Sequence, residues 1–148
     1  MQPLIEALKD KNKFVRLEAV RSLGRIGYPV ALQPLIQILN NEYIRDIQIS
    51  AVQALGKTGC SDAVKPLADI LKKNITDDDM RANAAEALGN IGDASSAQLL
   101  VEALEDINWY VREKAAETLG KTGEPTAVQP LIRLLKDKYD FVRFMAMY

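Results

Sequence analysis

Four Gly-x-x-Gly pairs constrain this chain more than any other feature. All eight glycines fall in them: Gly24/Gly27, Gly56/Gly59, Gly89/Gly92 and Gly120/Gly123, at spacings of 32, 33 and 31 residues. A leucine precedes each pair, as in Leu23-Gly24-Arg25-Ile26-Gly27 and Leu119-Gly120-Lys121-Thr122-Gly123. Self-similarity at a fixed period of ~20–50 residues marks an array of stacked units, none of which can bury its apolar face alone.

The rest of the sequence keeps the same phase. Before each glycine pair lies an alanine-rich segment such as Val111-Arg112-Glu113-Lys114-Ala115-Ala116-Glu117-Thr118-Leu119. After the pair comes a short turn and a second apolar segment, as in Val128-Gln129-Pro130-Leu131-Ile132-Arg133-Leu134-Leu135, whose Leu131, Ile132, Leu134 and Leu135 recur at helical spacing. No stretch alternates apolar and polar residues long enough for a strand. Each unit therefore reads as helix A, a turn, helix B and Gly-x-x-Gly. The expected fold is all-α: a right-handed superhelix of about ten helices, two per unit, in a single domain over 1–148. The units are 1–27, 28–59, 60–92, 93–123 and 124–148. The second and third carry one and two extra residues between their helices, which accounts for the uneven period.

Local signals refine this scheme. In the third unit, Thr76-Asp77-Asp78-Asp79 reads as an N-cap followed by acids in the first turn of helix B, where the helix dipole favours negative charge. The first glycine of each pair is expected to end helix B with positive φ, and the second to keep the turn tight. Pro3, Pro34, Pro66 and Pro130 share one helix A position, which Leu99 takes in the fourth unit. Proline is tolerated in a first turn and otherwise bends a helix, so an entry bend in helix A is expected.

The pattern Pro-Leu-Ile-x-x-Leu-x-Asp followed by Val-Arg-x-x-Ala-Ala-x-x-Leu-Gly-x-x-Gly resembles the HEAT-like repeat of the phycobilisome lyase type. The resemblance covers the whole chain. It implies an α-solenoid with A helices on the convex side and B helices lining the concave side.

Composition excludes several chemistries. The chain has no histidine and one cysteine, Cys60. That removes His-assisted nucleophiles, His proton shuttles and zinc sites built from Cys and His. No Asp-x-Asp-x-Asp-Gly loop is present, so neither a metal nor a cofactor is expected. Basic and acidic residues number 19 and 20, which gives no electrostatic case for nucleic acid. The longest apolar run, Phe144 to Tyr148, is far short of a membrane span, and Met1-Gln2-Pro3-Leu4 does not open a signal peptide. With a single cysteine, a reducing, cytoplasmic setting fits.

Three sets of residues are candidates for function. Arg16, Arg81, Arg112 and Arg143 share one phase, with Gln48 in the second unit; Asp10, Asp106 and Asp137 stand six residues before three of them. A guanidinium can hold turn carbonyls and a carboxylate together. The periodic placement, which looks like the Asp–Arg ladder of HEAT repeats, favours a stacking role. The second set is apolar and lies where helix B begins. Phe14, Trp109, Tyr110 and Phe141 stand one or two residues ahead of, or just before, the helix B positions Val15, Ile47, Met80, Val111 and Val142, which are expected to be buried. Leu17, Ile49, Ala82, Glu113 and Phe144 occupy the next outward phase. These side chains either form a partner surface or fold over neighbouring units to complete the core. The third set is acidic: Glu86, Glu113 and Glu117, with Asp78 and Asp79 near them, for which a solvated helix face is favoured.

The expected function is a non-catalytic scaffold that binds a protein or peptide partner on its concave face, through Phe14, Leu17, Arg21, Ile49, Gln53, Glu86, Trp109, Tyr110, Glu113, Glu117 and Phe144. The resemblance supplies an alternative, a bilin lyase-type subunit acting on tetrapyrrole-carrying proteins. Two other enzymes built on HEAT repeats fit less well: deoxyhypusine hydroxylase uses His-Glu metal motifs, and HEAT-like DNA glycosylases rely on a basic groove. The apolar residues Phe141, Val142, Phe144, Met145, Ala146, Met147 and Tyr148 also point to self-association through residues 139–148 or to continuation past Tyr148.

Overall fold

The computed structural model describes residues 2–27, 29–72 and 77–147. Among them are ten α-helices and no strand. The A helices are α1 (Gln2–Ala7), α3 (Leu32–Asn41), α5 (Val64–Lys72), α7 (Ala94–Ala103) and α9 (Val128–Leu134). The B helices are α2 (Lys13–Ile26), α4 (Arg45–Lys57), α6 (Asp78–Ile91), α8 (Trp109–Thr122) and α10 (Asp140–Met145). Each B helix packs on the next, and A helices pack against B helices, which makes a two-layer α-solenoid.

The proline position shapes helix A. In the second, third and fifth pairs a short 3-10 turn, at Pro29–Ala31, Ser61–Ala63 and Pro125–Ala127, precedes the α-helix that holds Pro34, Pro66 or Pro130 in its first turn. Proline has no N–H to give the carbonyl four residues earlier, so the tighter turn cannot merge into the α-helix. In the fourth pair Leu99 has that N–H, and α7 starts directly at Ala94. The entry bend is thus present at Pro34, Pro66 and Pro130, while α1, which holds Pro3, has no such turn among the described residues.

The B helices approach closely because small residues face each other. A Cβ added to Gly24 would lie 2.8 Å from the Ala54 Cβ, and one on Gly56 would lie 2.7 Å from the Ala87 Cα. One on Gly89 would overlap the Thr118 methyl. Gly24, Gly56 and Gly89, each the first of its pair, are therefore contact points inside their helices. Positive φ belongs to the second: 67° at Gly27 and 66° at Gly92, with Gly59 and Gly123 alike. This reverses the expected division of labour. Spacing along one chain shows that two glycines recur, but the close approach comes from the neighbouring helix.

The cap of α6 is also displaced by one residue. Thr76 lies outside the described residues, and the N-cap is Asp77, whose carboxylate accepts the Asp79 N–H at 2.8 Å. Asn12 and Asn108 cap α2 and α8 in the same way.

The A layer is more open. Grooves of about 690, 490 and 480 Å³ lie between successive A helices on the edge near the A-to-B turns. The B helices are therefore the tightly packed layer and the A helices the looser one. Among the described residues no helix is long and apolar enough to cross a membrane.

Candidate binding face on the B helices

The arginine row joins one repeat to the next. Arg112 Nε donates to Asp137 at 2.7 Å, while its Nη1 donates to the Asp106 carbonyl at 2.8 Å. Arg81 Nε donates to Asp106 at 2.9 Å, and Arg16 Nε to Glu42 at 2.7 Å. Asp106 and Asp137 therefore each give the carbonyl to the arginine of their own repeat, Arg112 or Arg143, and the carboxylate to the preceding one. Gln48 keeps only the first contact, to the Glu42 carbonyl at 2.8 Å. The carboxylate contact is replaced by Arg45, which pairs with Asp77 and Asp79 of the following repeat. That guanidinium holds the Asp77 carboxyl down at about 2. These arginines are structural, and so is Asp79; Asp78 is bound to Arg81 at 2.5 Å.

The aromatic set divides into two. Trp109 gathers Tyr110, Tyr139 and Phe141 at centroid distances of 5.8, 5.7 and 6.2 Å. Trp109 and Tyr110 are half-buried against the core, while Phe141 is exposed. One edge of the cluster thus packs on the core and the other faces solvent. An open cleft of about 590 Å³ runs beside them, lined by Asp77, Asp78 and Asp79 on α6 and its cap, and by Asn108, Trp109 and Tyr110. Tyr139 is not among the residues expected on this face, although it falls in the segment 139–148. It is the N-cap of α10, and its packing on Trp109 depends on the docking of two repeats.

Phe14 does not join this cluster. It is exposed on α2, with the Lys13 ammonium 5.1 Å from its ring, and lies beside Leu4, Ala7 and Val15 at the other end of the array. Asp46 and Asp79 occupy the intervening phase positions, so the aromatics form no continuous row. Ala82, expected to face outward, is buried, and Val15, expected to be buried, is 40% exposed. Ala82 is small enough for its neighbours to close over it. Val15 faces the end of the array, where no described helix covers it.

The remaining candidates line the B helices. Leu17 and Ile49 are half-buried; Arg21, Gln53 and Glu86 are exposed; Phe144 is exposed on α10. Gln53 donates to Asn83 at 2.7 Å across α4 and α6. Glu117 holds Lys114 at 2.8 Å and Lys121 at 2.6 Å, which lowers its pKa. Glu113, one turn away, has its pKa raised, first by burial, with the Glu117 charge adding to the effect against an opposing pull from Lys114. Among the described residues, no group of three or more carboxylate or thiol side chains is placed to hold a metal ion.

The HEAT-repeat family model matches residues 1–55, 44–106 and 73–148, which together span the sequence. The chain belongs to the HEAT-repeat family. A comparison with curated proteins gives no match. Among solved structures it is similar to a chain of the CpcE–CpcF complex of phycocyanin lyase from Nostoc sp. PCC7120, with 25% identity and a TM-score of 0.79. The alignment covers 98% of this chain and 61% of that one, so the HEAT array here spans about three-fifths of the lyase chain. It is also similar to computationally designed armadillo repeat proteins for modular peptide recognition, at 20% identity and TM-score 0.58, covering 97% of this chain and 70% of that one. Human deoxyhypusine hydroxylase matches with the same identity, TM-score and coverage. These last two likenesses concern the fold.

Proposed function

We propose that this HEAT-repeat protein is a non-catalytic scaffold that holds a protein or peptide segment along its B-helix face. The observation that carries the reading is the cluster around Trp109, with packed and solvent-facing aromatic edges beside an open cleft. Rigid aromatics that are already packed on one side bind at low entropic cost and dominate interface energetics. Glu86 and the partly desolvated Glu113 lie along the same face and favour a partner with a basic side chain nearby. Arg21, Ile49, Gln53 and Phe144 vary from repeat to repeat at equivalent phases, as a recognition surface requires.

Panning a displayed random-peptide library against the protein tests this. Enriched peptides should lose ~2 kcal/mol or more of affinity for the Trp109→Ala/Tyr110→Ala double variant, with helicity retained. Failure to enrich any peptide, or equal binding to the variant, overturns it.

A second reading, a lyase subunit acting on tetrapyrrole-carrying proteins, is favoured by the TM-score of 0.79 to the phycocyanin lyase complex. A visible-absorbance titration with a free bilin decides it: a saturable spectral shift supports the reading, and an unchanged spectrum removes it.

A further inference from the structure

The charges on the B-helix face are sorted along the array. Positions seven and three residues before the first glycine of each pair, and one residue after it, stand one helical turn apart and form a single stripe on each B helix. On α2 and α4 the charged members of this stripe are Arg21, Arg25 and Lys57, all basic. On α6 and α8 they are Glu86, Glu113 and Glu117, with Lys121 alone against them.

Neighbours cancel part of this set. Arg25 pairs with Glu18 at 2.6 Å, and Glu117 is held between Lys114 and Lys121. Among the described residues, Arg21, Lys57, Glu86 and Glu113 make no salt bridge. Two unpaired cations therefore stand on one half of the face and two unpaired carboxylates on the other. The pKa of Lys114 is raised chiefly by its bond to Glu117, with Glu86 on α6 a smaller contributor, which puts the acids of α6 and α8 on one surface. Between the halves lies a neutral junction, the Gln53 amide donating to Asn83 at 2.7 Å.

Arg21 and Glu86 lie two repeats apart, on α2 and α6, which at ~10 Å between packed helix axes is ~20 Å. That exceeds the Debye length of ~8 Å at physiological ionic strength, so the two poles do not neutralise each other. The Lys114–Glu117–Lys121 set, one turn apart on one helix, does. An extended chain advances ~3.3 Å per residue, so about six residues span the poles. Leu17 and Ile49, half-buried in the same stripe, offer apolar contact beside the basic one.

We propose that the segment held on the B-helix face is bipolar: an extended peptide with an acidic side chain on Arg21 and Lys57 and a basic side chain, about six residues away, on Glu86 and Glu113. This rests on the scaffold reading above and adds the partner's charge pattern and its orientation. A chain laid the other way would meet like charge at both poles.

Affinities of peptides enriched from the displayed random library, measured by fluorescence anisotropy, test this. Enriched sequences should carry an acid and a base about six residues apart. Arg21→Glu should weaken such a peptide ~tenfold, and changing the peptide's acid to lysine should restore its affinity for Arg21→Glu but not for Glu86→Lys. Changing the peptide's base to glutamate should rescue Glu86→Lys alone. Both substitutions are at exposed positions, and circular dichroism checks that helicity is kept. Peptides that enrich and depend on Trp109 and Tyr110 but lack the charge pair, or show no rescue, overturn the bipolar partner and leave the scaffold reading standing. Failure to enrich any peptide overturns both.

Discussion

Arg112 and Asp137, 25 residues apart, form a two-armed ion pair, with Nε to Oδ2 at 2.7 Å and Nη2 to Oδ1 at 3.0 Å. The remaining arm of Arg112 reaches the carbonyls of Asp106 and Ile107 in its own turn. One side chain thus closes a turn and sets the register of the repeat that follows. That register is also the one in which Gly24 meets Ala54 and Gly56 meets Ala87 across neighbouring B helices.

Arg81 is the most deeply placed of these arginines, its side chain 2% exposed and paired with an Asp106 side chain that is 8% exposed. Arg81→Met keeps most of the stem and deletes the charge, leaving Asp106 unpaired in a dry setting. Removing one partner of a buried pair costs ~3–5 kcal/mol, and access of water at the rim lowers the expected loss to about 2–4 kcal/mol. Urea unfolding followed by circular dichroism measures it. A loss under about 0.5 kcal/mol, the usual range for a surface change, would show that the rung sets geometry without adding stability.

The glycine contacts reverse a familiar sign. Alanine in place of glycine inside a helix ordinarily stabilises it by ~1 kcal/mol. At Gly56 the added methyl would lie 2.7 Å from the backbone of α6, so the helices must separate. Gly56→Ala is expected to destabilise by ~1–3 kcal/mol through overpacking. Thermal unfolding of Gly56→Ala beside wild type checks this, and a rise in Tm would mean that the B helices part without cost.

Stability should be level above about pH 6 and fall in acid. Asp77, Glu42 and Asp137 all have lowered pKa values, chiefly through hydrogen bonds from Arg45, Arg16 and Arg112. A lowered folded-state pKa contributes stability that is complete above the unfolded-state value, near 4, and is lost as pH falls through the folded value. The loss should therefore begin below about pH 5 and continue towards pH 2. Glu113 runs the other way: its raised pKa means that folding disfavours its charge, so its protonation adds stability as pH falls. Glu113→Gln should accordingly raise Tm at pH 7 and lose that advantage near pH 3. With no histidine in the sequence, a steep change between pH 6 and pH 8 would contradict this assignment.

The array and its ladder were legible in the sequence because period and phase are properties of one strand of text. The two-helix repeat follows from the glycine spacing, the entry bend from Pro34, Pro66 and Pro130, and the rung from an aspartate six residues before an arginine. Properties that depend on a neighbouring helix were not legible. Gly24 and Gly27 exchange roles because Ala54 presses on the first. Asp137 serves Arg112 as well as its own turn. Arg45 takes over from Gln48 across a repeat boundary, although its phase marks it as a surface residue. Tyr139 occupies a cap position, and only the indole of Trp109 beside it makes it part of the candidate site.

The last repeat should loosen before the others. Stability in a solenoid is a sum over units and their contacts with immediate neighbours, so the unit with the fewest contacts among the described helices opens first. The final helix pair is short, with α9 of seven residues and α10 of six, and α10 packs mainly on α8. Trp109, the single tryptophan, sits at that junction with Tyr139 and Phe141 over it. Its emission therefore reports the docking of α10, while far-ultraviolet circular dichroism reports all the helices. In a urea titration the Trp109 emission should shift to the red at a lower midpoint than the loss of helicity. Phe141→Ala should widen the gap by loosening α10 alone, leaving the main transition in place. Coincident midpoints in wild type and variant would mean that the array unfolds as one cooperative unit and that α10 is held as firmly as the interior helices.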